Sequence, residues 1–319
     1  MESLSREKES ARTRTTQRNF QQKNVQEKIR EKNREKTGTK RSTIWMILPL
    51  YLFTLVFVAC PLLYMVALSF ATPGEIHGVQ WIFTLDNYKK ILEPVYLDTF
   101  VQSFQLALTS TAFIALIGYP FGYFMAKLPA GGKKKAMLLL MLPFWVNSLI
   151  RLYGWIIILQ KKGLLNFVLK KLGLIEKPLK IMYSYPAIVI GMIYVLLPFM
   201  ILSVYSSAEK LDWSLVEASR DLGASKAKAF WTISFKLTLP GLLSGVILTF
   251  VPSMGLFFIA DILGGNKVVL VGSLIQDQMT RGSNWPFAAA LAVVMMILTT
   301  LMILLYRKVT NAKEVEGLG

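Results

Sequence analysis

IMYSYPAIVIGMIYVLLPFMILSVYSSA, residues 181–208, runs for 28 residues without a formal charge. About 20 apolar residues, rising ~1.5 Å each, cross the ~30 Å hydrocarbon core of a bilayer. A barrel strand would alternate polar and apolar residues over about ten positions, and this run does not alternate. It reads as a membrane-spanning helix. Five further runs flank it. Residues 44–70 and 99–126 hold 27 and 28 uncharged residues, and 136–160 is interrupted only by Arg151. Residues 237–260 are uncharged and followed by Asp261, and 282–306 close the set. The expected fold class is therefore an all-α polytopic membrane protein with six transmembrane helices.

The rest of the composition agrees. The chain has 319 residues, 54% hydrophobic and 17% charged, a net charge of +17 and a mean hydropathy of +0.47. An ordinary soluble enzyme does not have this profile. The single cysteine, Cys60, excludes an internal disulfide framework, and the single histidine, His77, excludes His-based metal clusters. Gly131-Gly132-Lys133 lacks the spacing and the Lys-Ser/Thr ending of a phosphate-binding loop. No catalytic constellation stands out, so the chain reads as non-catalytic, passing a solute with energy supplied from elsewhere.

Charge sets the expected orientation. Residues 1–43 hold 13 basic and 6 acidic residues with few apolar anchors, which reads as a basic disordered cytoplasmic arm. The connection 127–135, KLPAGGKKK, carries four lysines. Both place the N terminus inside, and six crossings bring 209–239 and the tail 307–319 to the same side. His77 and Lys170 then face outward. The six lysines of 161–180 oppose this assignment. Within that connection GLLNFVLKKLG has the pattern of a short amphipathic helix lying at the outer interface.

Prolines 61, 120, 143, 198 and 252 fall inside the runs and predict kinks. Gly118-x-x-x-Gly122 and Gly241-x-x-x-Gly245 either admit a close helix neighbour or are ordinary membrane-helix composition.

The connection 209–239, EKLDWSLVEASRDLGASKAKAFWTISFKLTL, leads into Pro240 and has a pattern of its own. Apolar positions recur at helical spacing on both sides of Gly223, which predicts two short amphipathic helices joined by a glycine turn. Such an element between spans is either an interfacial linker or a docking element for a soluble partner.

Glu217-Ala218-Ser219, Gly223, Phe230, Ile233 and Pro240 resemble the EAA loop of permease subunits of ABC importers. FTLDNY at 83–88, GYPFGYFMAKLP at 118–129, LPFWVNSLIRLYGW at 142–155, LLPFM at 196–200, YSSAEKLD at 205–212, EASRDLGASK at 217–226 and MGLFFIADILGG at 254–265 extend the resemblance. They point to spermidine/putrescine importer permeases of the PotB type, from about residue 44 to about residue 306. Two positions depart from the family pattern: Ser219 stands where Glu-Ala-Ala is usual, and Lys236 where a proline is common.

The resemblance implies a type I ABC importer permease of MetI-like fold in a bacterial inner membrane, with 44–306 as the six-helix domain. It implies a second, PotC-like permease subunit, two PotA-like ATP-binding subunits and a periplasmic PotD-like polyamine-binding protein, with no nucleic acid as partner. ATP and Mg2+ would be used by the ATPase subunits, and this chain would hold no cofactor and no metal. Glu217, Ala218, Ser219, Gly223, Phe230 and Ile233 would form the ATPase-coupling loop, with Glu217 or an ion pair to Arg220 positioning its first helix.

Polyamines are flexible polycations, recognised by carboxylates and aromatic walls. The candidate pathway residues are Trp145, Asn147, Tyr153, Phe257, Phe258 and Asp261, together with Trp155. Asp261 is either a pathway residue or a charge capping the outer end of the fifth span, and the tryptophans face either a pathway or lipid. Arg151 has the wrong sign for a polyamine. It reads as a structural or gating charge, paired with a carboxylate of this chain or a partner, or as an interface charge if its helix starts late. The alternatives are a permease for another small organic solute, a secondary transporter, or a channel or structural membrane subunit.

Overall fold

The computed structural model describes residues 48–74, 78–265 and 267–316. The arm 1–43 and His77 lie outside the described residues. The described residues fall into two units, divided between Met65 and Val66.

Helix α1 covers Leu48–Ser69. It widens into a π turn over Leu55–Ala59, where the Cys60 N–H reaches back to the Leu55 carbonyl. Pro61 follows directly, and a ring without an N–H that crowds the preceding turn is a sufficient cause for such a bulge. A short antiparallel pair, β1 (Thr72–Pro73) and β2 (Val79–Gln80), precedes α2 (Asp86–Ile91). The buried Asn87 amide donates to the Ser69 and Ala71 carbonyls at 2.9 Å each. The Ser69 carbonyl ends the helix and the Ala71 carbonyl lies just beyond it, so one side chain ties down the chain as it leaves α1.

Helix α3 (Pro94–Lys127) starts on a proline at its first position and forms the second span. The third apolar run is not one helix. It is α4 (Ala130–Met141), a 3-10 turn over Leu142–Trp145, and α5 (Ser148–Leu159). Pro143 cannot continue α4, and Asn147 restarts the helix by accepting the Leu149 N–H at 2.8 Å. The span-length apolar stretch here extends over Ser148–Lys171. It takes in α6 (Leu164–Lys171), the short amphipathic helix that the sequence predicts. In α6, Asn166 is buried and bonds the Gln160 and Leu179 carbonyls, while Leu164, Phe167 and Val168 stay exposed.

Helix α7 (Tyr185–Glu209) is the fourth span, α8 (Trp213–Asp221) follows, and α9 (Lys226–Gly255) is the fifth span. The expected second short helix of the connection is therefore the start of α9 rather than a separate element. Helix α9 passes through Pro240 and contains a π turn at Phe230–Ser234. The fifth apolar run ends earlier than expected. Leu256 leaves helical geometry (φ −78°, ψ 59°), and α10 (Phe257–Gly264) begins anew, carrying Asp261. Helix α11 (Val271–Thr280) leads to α12 (Trp285–Glu316), whose apolar part Trp285–Lys308 is the sixth span. Six helical stretches among the described residues are long and apolar enough to cross a membrane.

The fourth span is the axis of the second unit. A Cβ added at Gly122 would stand 2.7 Å from the Ile201 carbonyl oxygen and 2.9 Å from Val204 Cβ. One added at Gly241 would meet the Ser203 carbonyl oxygen at 2.8 Å. Gly118 and Gly245 both face Met200, at 2.6 and 2.5 Å. Both glycine pairs are thus crossing points, where α3 and α9 press against adjacent faces of α7 and meet at Met200.

Candidate functional site

Two regions of the second unit hold the residues that the sequence singles out. The first lies at the basic end of the bundle, where Lys133 Nζ meets Glu209 Oε1 at 3.2 Å. This pair brings the Lys133–Lys135 connection and the start of the 209–239 segment to the same end. Helix α8 begins there with an N-cap, because Asp212 Oδ1 accepts the Ser214 N–H at 3.0 Å. Hydrogen bonding from the Ser214 side chain, then from its backbone, holds the Asp212 carboxyl below its ordinary range.

Aromatic packing fixes α8 to the spans. The Trp213 and Phe230 rings stand edge-on to Tyr123 at 5.7 and 5.3 Å, and Phe230 lies 6.3 Å from Tyr119. Lys127 Nζ sits over Tyr123 at 4.5 Å and over Trp213 at 4.9 Å. The Tyr123 hydroxyl donates to Ser234 Oγ at 3.0 Å, and the Tyr119 hydroxyl lies 2.8 Å from Thr238 Oγ1. These contacts tie α8 to both α3 and α9. A cavity of about 670 Å³ lies in this junction, between Tyr123, Val216, Arg220 and Phe230.

The other face of α8 is unpartnered within the described chain. Leu215, Ala218 and Leu222 are exposed there, the last at 90%, while Glu217 and Arg220 are exposed at the edge of the junction, where Arg220 lines the cavity. Glu217 takes part in none of the ion pairs among the described residues, which are Lys89–Asp86, Lys133–Glu209 and Arg281–Asp277. Within the chain, the Asp212 cap and the aromatic junction hold α8 in place. Ser219 Oγ is spent on the Val216 carbonyl at 3.0 Å.

Gly223 forms the expected turn with φ +87°. The Ala224 N–H reaches the Ser219 carbonyl and the Gly223 N–H the Arg220 carbonyl, closing α8 in a Schellman motif. An added Cβ at Gly223 would meet nothing within 4 Å. The left-handed backbone, and not a close neighbour, favours glycine here. Ile233 lies in the π turn and is partly buried.

The second region holds the candidate pathway residues. Asp261 Oδ1 accepts a hydrogen bond from Ser273 Oγ at 3.0 Å, joining α10 to α11. Burial pushes this carboxyl above its ordinary range, against the Ser273 hydrogen bond. Phe257 and Phe258 meet edge to face at 6.2 Å at the start of α10. Trp145 and Tyr153 are exposed, Asn147 is the N-cap of α5, and Trp155 packs on Tyr194 at 5.4 Å. Leu152 of α5 and Ile259 and Leu263 of α10 all close on Gly191 of α7. The broken third span and the short helix bearing Asp261 thus lean on the same part of the fourth span.

Residues 118–313 match the model of the binding-protein-dependent transport system inner membrane component family. The chain belongs to this family. It is 43% identical over 273 residues to the spermidine/putrescine transport system permease protein PotB of Escherichia coli K12, covering 85% of this chain and 99% of that one. Its fold resembles that of a bacterial ABC transporter involved in alginate import (TM-score 0.63, 17% identity, covering 86% of this chain and 98% of that chain). It also resembles the inward-facing MetNI methionine ABC transporter (TM-score 0.53, 18% identity, covering 69% and 98%). The chain is thus an ABC-importer permease subunit, a multi-pass membrane protein of MetI-like architecture that works with a partner permease, an ATPase and a binding protein.

The sequence reading of this permease did not single out Tyr119, Tyr123 or Trp213 as a junction. Tyr119 and Tyr123 are four residues apart on one helix and share a face, which is the signal that was there. Their partners come from α8 and α9, and no local pattern links those segments to α3.

Proposed function

We propose that this permease subunit carries spermidine or putrescine across the membrane together with a PotC-like second permease. PotA-like ATPases would drive transport, and a PotD-like binding protein would deliver the solute. The observation that carries the reading is 43% identity across nearly the whole length of a spermidine/putrescine permease. Helix α8 and the Gly223 turn serve as the coupling element, its exposed face entering the ATPase and its aromatic face moving α3 and α9. Asp261, a partly buried carboxylate beside Phe257 and Phe258, attracts a solute amine; Trp145, Asn147 and Tyr153 line the route.

The test is reconstitution of the whole complex, with ATP hydrolysis and uptake measured across a panel of polyamines and uncharged solutes. Spermidine or putrescine should stimulate both. Stimulation only by an uncharged or anionic solute would overturn the polyamine reading. Asp261→Asn should weaken half-saturation for polyamine uptake by roughly tenfold, the scale of a hydrogen bond to a charged group. Unchanged kinetics would remove Asp261 from recognition, and a loss tracking complex yield would assign it to holding α10 on α11.

The basic end is placed in the cytoplasm, with both termini there and Lys170 on the outer side. The reasons are the charge of the arm and of Lys133–Lys135, and the exposed face that α8 offers a soluble ATPase. Single cysteines at positions 170 and 217, in a chain with Cys60 replaced by serine, should label from opposite sides of sealed membranes. Labelling from the same side would overturn the placement.

A further inference from the structure

Arg151 sits within a membrane run, yet no carboxylate among the described residues pairs with it. Its guanidinium lies 5.7 Å from the Phe144 ring centre and 5.4 Å from that of Tyr194. Its Nε is buried without a hydrogen-bond partner. It faces a cavity of about 500 Å³ whose other walls are apolar, among them Phe124 of α3, Leu139 of α4 and Pro198 of α7. Two aromatic faces offset part of the cost of a half-buried cation, but they leave Nε without an acceptor and the charge without a carboxylate among the described residues.

We propose that this cavity receives a helix of the second permease subunit and that a carboxylate on that helix pairs with Arg151. The proposal rests on the pairing of two permease subunits and not on the identity of the solute. Depth decides between a protein and a lipid as the source of the anion. Tyr194 is the tenth residue of α7 and lies about 13.5 Å along the helix from its nearer end. That is close to half of a ~30 Å hydrocarbon core. A headgroup phosphate at the membrane surface is out of reach from there, and a polycationic solute has the wrong sign. A side chain carried on a neighbouring helix reaches this level without bringing water along. The break at Leu142–Trp145 opens the site, because the 3-10 turn separates α4 from α5 and leaves the groove between α4 and α7 unfilled by this chain.

The experiment uses the assembled complex, purified through its ATPase subunit. A photoreactive phenylalanine analogue replaces Leu139, which is 72% exposed at the cavity wall and leaves Arg151 intact. Illumination should give a covalent adduct of the two permeases. In parallel, Arg151→Met and Arg151→Glu should lower the yield of complex about tenfold or more relative to the membrane level of this chain, with the larger loss for Glu. Arg151→Lys should keep most of it. A basic replacement of the partner carboxylate should restore assembly of the Arg151→Glu chain. Adducts with lipid alone, or none, would overturn the proposed occupant. An adduct between the permeases with wild-type assembly of Arg151→Met and Arg151→Glu would overturn the ion pair.

Discussion

Gly122→Ala is expected to cost the folded permease about 3 kcal/mol, the upper part of the range for overpacking a close contact. The added methyl would stand 2.7 Å from the Ile201 carbonyl oxygen and 3.1 Å from the Tyr205 amide nitrogen, both backbone atoms of α7. A backbone cannot rotate away as a side chain can, so α3 and α7 must separate. Separation would also pull Tyr123 from Ser234 and loosen the junction that holds α8. Gly118→Ala is expected to cost less, because its nearest neighbour is the flexible Met200 side chain at 2.6 Å. Gly154→Ala, which would meet nothing within 4 Å, should stay within about 0.5 kcal/mol. Thermal unfolding of the purified complex, with the amount of chain in the membrane, orders the three. Equal midpoints for Gly122→Ala and Gly154→Ala would show that α3 and α7 are not in contact at this crossing.

Gly223→Val should reduce ATP-driven uptake by tenfold or more. The residue sits at φ +87°, a region that a β-branched side chain enters at a cost of about 1–3 kcal/mol. The easier outcome is for the turn to open, losing the bonds from Gly223 and Ala224 to the Arg220 and Ser219 carbonyls. Helix α8 then no longer presents Glu217 and Leu222 at a set angle to the start of α9. Because no atom of the chain stands within 4 Å of an added Cβ, the spans should fold as before. Complex assembly and uptake should therefore fall together while the chain's membrane level holds. Gly223→Asn, which tolerates the left-handed region, should keep a large part of both. Full uptake by Gly223→Val in an assembled complex would remove this turn from coupling.

The number and class of the spans were legible because bilayer thickness translates into run length, and an uncharged run of 28 residues such as 181–208 has few other uses. The turn at Gly223 and the short helix Leu164–Lys171 were legible from glycine placement and helical spacing. Their signals are local. The break in the third run was half legible: Pro143 predicted a kink. The complete restart at Ser148 also needed the Asn147 cap, which the sequence reading had set aside for solute. Helix α9 runs through Pro240 and stops at Gly255, against the expected limits of the fifth run. Proline marks a weak point, and the neighbours decide whether the helix survives it.

Tertiary structure alone decided which helices touch. The sequence by itself determined six apolar helices, a basic end and a glycine turn with helices on both sides, since each is written in neighbouring residues. It did not say that α7 is the axis, that Gly122 and Gly241 press on it from two sides, or that Trp213 meets Tyr123 from ninety residues away. The fourth and sixth spans are similarly apolar, yet 56% of one and 28% of the other is buried inside the protein. In water, burial is announced by hydrophobicity. In a bilayer the lipid tails are as apolar as leucine, so composition does not separate a helix facing lipid from one facing protein. Only the fit of small residues against a neighbouring backbone separates them, and that fit exists once the helices are packed.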